Sequence, residues 1–169
     1  MLETKRLEII EATDDYIDRI IEMESHPENR DFIWMGTFEE HQSEIRDKNH
    51  ILWVFRAKKD AKIVGYALAR LDWKSERFEL RRIVIADKGR GYGEESIKAI
   101  IKYAFEEFRA NRFWLDTYPD NHVGISLYAK IGLKKEGILR HNYKSSRGYE
   151  DQIIYSMLKD EYFKNKKKG

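Results

Sequence analysis

The sequence predicts a single-domain α/β (α+β) fold in which a mixed, mostly antiparallel sheet is flanked by helices. Three observations lead there. Short β-branched and aromatic runs alternate with segments of helical period along the chain, which is the pattern of a layered sheet-and-helix domain. One strong helical stripe separates two such runs, so those two strands must lie parallel with the helix as crossover. At 169 residues, 41% of them hydrophobic and 13% aromatic, the chain can bury one substantial core.

Leu7-Glu8-Ile9-Ile10 reads as a first strand. Thr13-Asp14-Asp15 then opens a helix whose apolar residues Ile17, Ile20, Ile21 and Met23 recur near helical period, and His26-Pro27 interrupts it. Thr37-Phe38-Glu39-Glu40 has the form of a capping box and starts a second helix. Ile51 to Ala57 and Ile63 to Leu71 are strands joined by the polar Lys58–Lys62 turn, and a third strand of this group runs from Phe78 to Ile85. Beyond it, Ile97, Ile100, Ile101, Ala104, Phe105 and Phe108 fall on one stripe that must be buried. Phe113–Tyr118 follows as the parallel strand, and a short helix from Val123 to Ile131 ends at Gly132 in a left-handed cap. Leu133–Asn142 and Tyr149–Met157 close the chain as an antiparallel pair, and Lys164–Gly169 reads as a lysine-rich disordered tail.

Composition narrows the function classes. The 32 basic and 30 acidic residues leave a net charge of only +2, which argues against a nucleic-acid partner. Without cysteine there is neither thiolate catalysis nor a thiolate metal site. The histidines His26, His41, His50, His122 and His141 never stand at helical metal-pair spacing, so no metal is expected. No apolar run reaches membrane-spanning length and no signal-peptide pattern opens the chain, so the reading is a cytoplasmic protein with no membrane partner.

The most informative stretch is Ile83-Val84-Ile85-Ala86-Asp87-Lys88-Gly89-Arg90-Gly91-Tyr92-Gly93-Glu94. A strand feeds alternating glycines that open a helix, a geometry that aims backbone N–H groups and the positive end of the helix dipole at an anion. The nucleotide phosphate loop is excluded because Glu94-Glu95, not Lys and Ser/Thr, follows Gly93. The dinucleotide fingerprint fails because Glu94 stands where its third glycine belongs.

Lys88-Gly89-Arg90-Gly91-Tyr92-Gly93 instead resembles the acetyl-CoA pyrophosphate loop of the GNAT superfamily of N-acetyltransferases, with Lys88 in place of the usual Gln or Arg. Asn121-His122-Val123-Gly124-Ile125-Ser126-Leu127-Tyr128-Ala129-Lys130-Ile131-Gly132-Leu133 resembles that family's Asn-x-x-Ala-x-x-Leu-Tyr-x-x-x-Gly-Phe segment. Glu136–Arg140, Gly148–Asp151 and Tyr155 are similar to the branch holding ribosomal-protein alanine and spermidine acetyltransferases. The likeness runs in order over roughly residues 5 to 162, so residues 1–163 are expected to be the acetyltransferase domain and 164–169 its tail. It implies a sheet splayed between the strand before the glycines and the strand after their helix, with the pantetheine of acetyl-CoA in the gap.

The resemblance also assigns roles. Backbone amides of Gly89, Arg90, Gly91, Tyr92, Gly93 and Glu94 would hold the pyrophosphate, with the Lys88 and Arg90 side chains adding charge at the rim. Ile83, Val84 and Ile85 would line the pantetheine through their main chain, and Asn121 would hydrogen-bond it. Asn121 reads equally as the cap of its helix, and both can hold. Tyr128 would be the general acid that reprotonates the departing thiolate; by pattern alone it is a core aromatic. Glu79 is the candidate general base, placed on the face of Arg81, Ile83 and Ile85 if the strand alternates regularly, whereas a bulge would flip its face; the plain alternative is a solvent-exposed strand charge.

The reading is therefore an acetyl-CoA-dependent N-acetyltransferase that works by direct attack of a primary amine, since no nucleophile motif is present. A CoA-binding domain with a regulatory or interaction role and no turnover is the alternative. Between Glu11 and Asp47, twelve acidic residues face three basic ones, so this segment carries −9 and the remainder +11. By resemblance that segment walls the acceptor side, which points to a cationic acceptor: a polyamine, a peptide N-terminus or another small amine. A homodimer is the family's common assembly.

Overall fold

The computed structural model describes residues 1–167. Strands β1 (Leu2–Glu3), β2 (Leu7–Glu11), β3 (His50–Ala57), β4 (Ile63–Asp72), β5 (Arg77–Ile85), β6 (Arg112–Thr117), β7 (Lys134–Ser145) and β8 (Gly148–Leu158) form one sheet in the order β1-β2-β3-β4-β5-β6-β8-β7. The helices are α1 (Ile17–Ser25), α2 (Phe38–Arg46), α3 (Tyr92–Glu106), α4 (His122–Ile131) and α5 (Lys159–Lys166). Among the described residues, none of these helices is long and apolar enough to cross a membrane.

Local chemistry explains most boundaries. α2 starts in a complete capping box: Thr37 Oγ1 accepts from Glu40 N at 3.3 Å while Thr37 N donates to Glu40 Oε2 at 2.8 Å. α1 ends at His26, whose extended conformation is the one required before Pro27. α4 ends at Gly132, whose φ of 98° lies in the left-handed region.

The sheet has two apolar faces. On one, α3 lays Ile97, Ile100, Ala104 and Phe105 over Phe55, Phe78 and Phe113. On the other, Ile20 and Met23 of α1 pack on Val54, Tyr66, Leu68 and Val84.

All pairings are antiparallel except β5 with β6, and that one is brief. Only Arg77↔Arg112, Phe78↔Phe113 and Glu79↔Trp114 are matched before the strands part. β6 stays with β8 to Thr117↔Ile153, and β5 stays with β4 to Gly65↔Ile85. Leu80–Ile85 of β5 and Leu115–Thr117 of β6 thus turn unpaired edges towards each other, which is the splay the resemblance implied.

A β-bulge beside the opening changes one expectation. Leu68 pairs with Arg82 and Ala69 with Leu80, so Arg81 is an extra residue in β5. Ile83 and Ile85 consequently pack on the α3 face, while Val84 packs with the α1 cluster. Glu79, opposite Arg70, shares the α1–α2 face with Arg82 and Val84, not with Ile83 and Ile85 as regular alternation predicted.

Two short elements were not foreseen. β1 is a two-residue addition against β2, held by pairing rather than by its own pattern. α5 extends to Lys166, so the first residues of the expected disordered tail are helical, and residues 168 and 169 lie outside the described residues. Tertiary contacts hold this helix: Tyr162 stacks on Phe105 at 4.9 Å and its hydroxyl donates to Glu106 at 2.6 Å.

Candidate active site

Where β5 and β6 part, the sheet opens into a cleft of about 790 Å³. Glu79 and Ile83 come to it from β5, Asp116 from β6, Asn121 and Tyr128 from the cap and body of α4, and Gln152 from β8. Four sequence-predicted site residues, Glu79, Ile83, Asn121 and Tyr128, therefore meet in one space.

Glu79 is not a simple surface charge. Burial raises its carboxyl above the ordinary glutamate value, opposed by Arg81, whose guanidinium lies 3.6 Å away. Tyr128 is 6% exposed, lines the cleft, and has its phenol pushed up to about 12 by burial and then by the charge of Asp116. Such a phenol keeps its proton at neutral pH, as a proton donor must. Asn121 caps α4, accepting from Gly124 N at 3.1 Å, while its amide donates to Thr117 Oγ1 at 2.9 Å. One amide hydrogen is left for a ligand.

Asp116 was missed by the sequence reading. Burial and the nearby Glu79 charge push its carboxyl up to about 6. The sheet register brings it in: Trp114 pairs with Glu79, and Asp116 stands two residues further on the same face of β6.

The glycine segment continues from the end of β5 outside the cleft lining. Gly89 and Gly91 have φ of 76° and 77°, values that only glycine adopts at little cost. Gly91 is the N-cap of α3, and the N–H groups of Gly91, Tyr92, Gly93 and Glu94 donate to no protein acceptor among the described residues. A Cβ on Gly89 would meet nothing within 4 Å, so the outer side of the loop is open. Open amides at a helix N-terminus, in line with unpaired strand edges, fit the pyrophosphate and pantetheine of acetyl-CoA.

The loop's charged side chains form ion pairs and hydrogen bonds at the surface. Arg90 donates to Asp87 at 2.8 Å, Lys88 reaches the Glu28 carbonyl at 3.2 Å, and Glu94 binds Lys98 and Lys130. A further cation, Arg6, braces the loop, and sequence reasoning did not single it out. It donates to the Arg90 carbonyl at 2.7 Å and to Glu95 at 2.6 Å, with its guanidinium 4.9 Å from the Tyr92 ring centre.

A buried ionic cluster, also missed, lies between α1, α2 and β5. Glu24 is fully buried and accepts from Gly36 N at 2.9 Å, Arg82 at 3.3 Å and the Tyr66 hydroxyl. His41 lies 3.1 Å from Glu24 and 2.9 Å from Glu44, and Glu44 also binds Arg82. Two acids and two cations cancel here, so part of the acidic segment is internal structure.

The family model for the acetyltransferase (GNAT) family matches residues 11–133. An uncharacterized N-acetyltransferase p20 of Bacillus licheniformis is 29% identical over 99 residues, 59% of this chain, which spans about half of that relative's length (47%). An uncharacterized N-acetyltransferase YoaA of Bacillus subtilis is 26% identical across 94% of this chain and 97% of its own. A spermine/spermidine N(1)-acetyltransferase of Bacillus subtilis is 31% identical over 47% of this chain and 58% of its own. The fold is shared with spermidine N-acetyltransferase from Vibrio cholerae, solved with CoA and spermine: TM-score 0.84, 17% identity, 95% of this chain and 99% of that one. With the splay, the open glycine loop and Tyr128 already in place, the match places this chain in the GNAT acetyltransferase family, an N-acetyltransferase with acetyl-CoA as its donor.

Proposed function

We propose that this chain acetylates the primary amine of a cationic acceptor, a polyamine or a peptide N-terminus, by direct attack on the thioester. The observation that carries the reading is the meeting of Glu79, Asp116 and Tyr128 in one cleft at the splay, with the open amides of the glycine loop beyond it. The family relationship supports the donor. The relative and the solved structure whose names include spermine or spermidine support the acceptor class.

In this reading Gly91–Glu94 hold the pyrophosphate on their N–H groups, and the unpaired edge of Ile83–Ile85 holds the pantetheine. Val84 and Ile85 take part only through their main chain, since their side chains are in the two cores. Glu79 accepts the proton of the incoming ammonium, and Tyr128 gives its proton to the departing thiolate and regains one from solvent. Asp47, the C-cap of α2, adds negative charge at the cleft edge, whereas the Glu44 charge is met by His41 and Arg82.

Thiol release from acetyl-CoA with spermidine, a basic peptide N-terminus and an amino sugar tests the proposal. Turnover with the cationic amines and higher kcat/KM than with neutral ones is the expected result. A folded protein that binds CoA and turns over none of these amines overturns it.

A further inference from the structure

Most carboxylates of this chain that lie near another side chain have a cation in contact with them; Asp116 does not, and Arg81 acts on it only through space. Among the described residues it forms no ion pair, and its one hydrogen bond comes from a neutral amide, Gln152 Nε2 at 3.1 Å from Oδ1. Gln152 is itself 8% exposed and held in place from β7, where Asn142 Nδ2 donates to its Oε1 at 2.6 Å. The relay fixes the carboxylate without neutralising it. A charge with no cation in direct contact in a half-buried cleft is costly unless a ligand supplies the partner.

The surroundings define that ligand. Glu79 and Arg81 face Asp116 from β5, and Glu79 shares its side of the sheet. Tyr128 of α4 and Tyr118 after β6 carry hydroxyls that feel its charge, and Gln152 and Asn142 approach from the closing hairpin. Tyr128 is nine-tenths buried, and its hydroxyl opens on the cleft with no protein hydrogen-bond partner among the described residues.

We infer that Asp116, oriented by the Asn142–Gln152 relay, is the seat of the acceptor's ammonium group and holds it facing Glu79. This rests on the cationic-amine reading above and adds a residue to it. The ammonium pairs with Asp116 on arrival; its proton then passes to the Glu79 carboxylate, leaving a neutral amine and a neutral Glu79. Asp116 keeps its charge throughout, and the proton leaves from Glu79 to solvent. Burial and Glu79 hold the Asp116 carboxyl near 6, so the seat is charged at neutral pH and empties its charge in mild acid.

The test uses the full chain with Asp116→Asn, which keeps shape and removes charge, and Gln152→Leu, which keeps the carboxylate and removes its orienting donor. With spermidine as probe and acetyl-CoA saturating, D116N is expected to raise KM for spermidine at least tenfold. The KM for acetyl-CoA should stay within about twofold, and the acidic limb of kcat/KM should move to lower pH. Gln152→Leu should act in the same direction and less. D116N with wild-type KM for spermidine and an unmoved acidic limb overturns the seat. Calorimetric titration of spermidine into CoA-saturated protein separates the two readings. Binding that D116N weakens at least tenfold supports the seat even if no amine is turned over, a result that would sink only the catalytic proposal. Equal binding by both proteins, or none by either, overturns it.

Discussion

His41 of α2 and Glu24 of α1, both fully buried, face each other with Nε2 3.1 Å from Oε2, and this contact fixes the two helices to one another. Burial lowers the imidazole's basicity, but the hydrogen bonds of Glu24 and Glu44 outweigh it and lift the pKa to about 9. Arg82 of β5 joins the same carboxylates, so the helices are also tied to the strand that carries Glu79.

The cluster should make stability pH-dependent on the alkaline side. The folded pKa of His41 lies above its unfolded value, so its contribution is complete below about pH 6.5 and disappears as pH rises through about 9. That shift corresponds to about 3 kcal/mol. His41→Ala should therefore lower stability by about 3 kcal/mol near neutral pH and flatten the fall between those limits. Urea unfolding at pH 6, 7.5 and about 9.5 checks it; a mutant curve parallel to wild type would rule out His41 as the titrating group.

Gly91→Val should abolish tight CoA binding. Valine at a φ of 77° is strained, and its Cβ would stand 3.2 Å from Arg6 Nη2. At least a tenfold loss of acetyl-CoA affinity is expected, about 1.4 kcal/mol, with the far-UV dichroism of the wild type retained. Unchanged affinity in such a folded variant would remove the glycine loop from the donor site.

Tyr128→Phe keeps the ring that packs 5.8 Å from Tyr155 and removes only the hydroxyl. The expected outcome is a fall in kcat of ~10²–10⁴-fold with acetyl-CoA affinity nearly unchanged. Wild-type kcat at saturating substrate would mean that water protonates the thiolate.

Glu79→Gln should slow turnover most at low pH. More of the amine is already neutral at higher pH, so activity should be partly regained as pH is raised towards 9 or so. A loss of equal size at every pH would make Glu79 a structural partner of Arg81 rather than the base.

The acidic side of the cleft predicts salt-sensitive kinetics. KM for spermidine should rise with ionic strength, because exposed Asp47 and its neighbours act at long range and are screened. Insensitivity to salt, with neutral amines accepted as well as spermidine, would leave the acidic segment with no steering role.

Residue identity and spacing by themselves determined α1 to α4, the parallel β5–β6 pair, the glycine loop at the N-terminus of α3 and the positions of Asn121 and Tyr128. Those features are local: a capping box at Thr37, an Ile stripe on α3 and left-handed glycines state their conformation within a few residues. What depends on contacts between distant segments had to come from the tertiary structure. The bulge at Arg81, which moves Glu79 to the α1–α2 face, exists only in the register of β5 against β4. Arg6 braces a loop more than eighty residues away, and Glu24 meets Arg82 across 58 residues of chain. α5 stands on Tyr162 and Phe105, not on its own charged sequence. Asp116 became a site residue only when the splay set it beside Glu79 with Gln152 as its one donor, because an uncompensated charge is a property of surroundings and not of spacing.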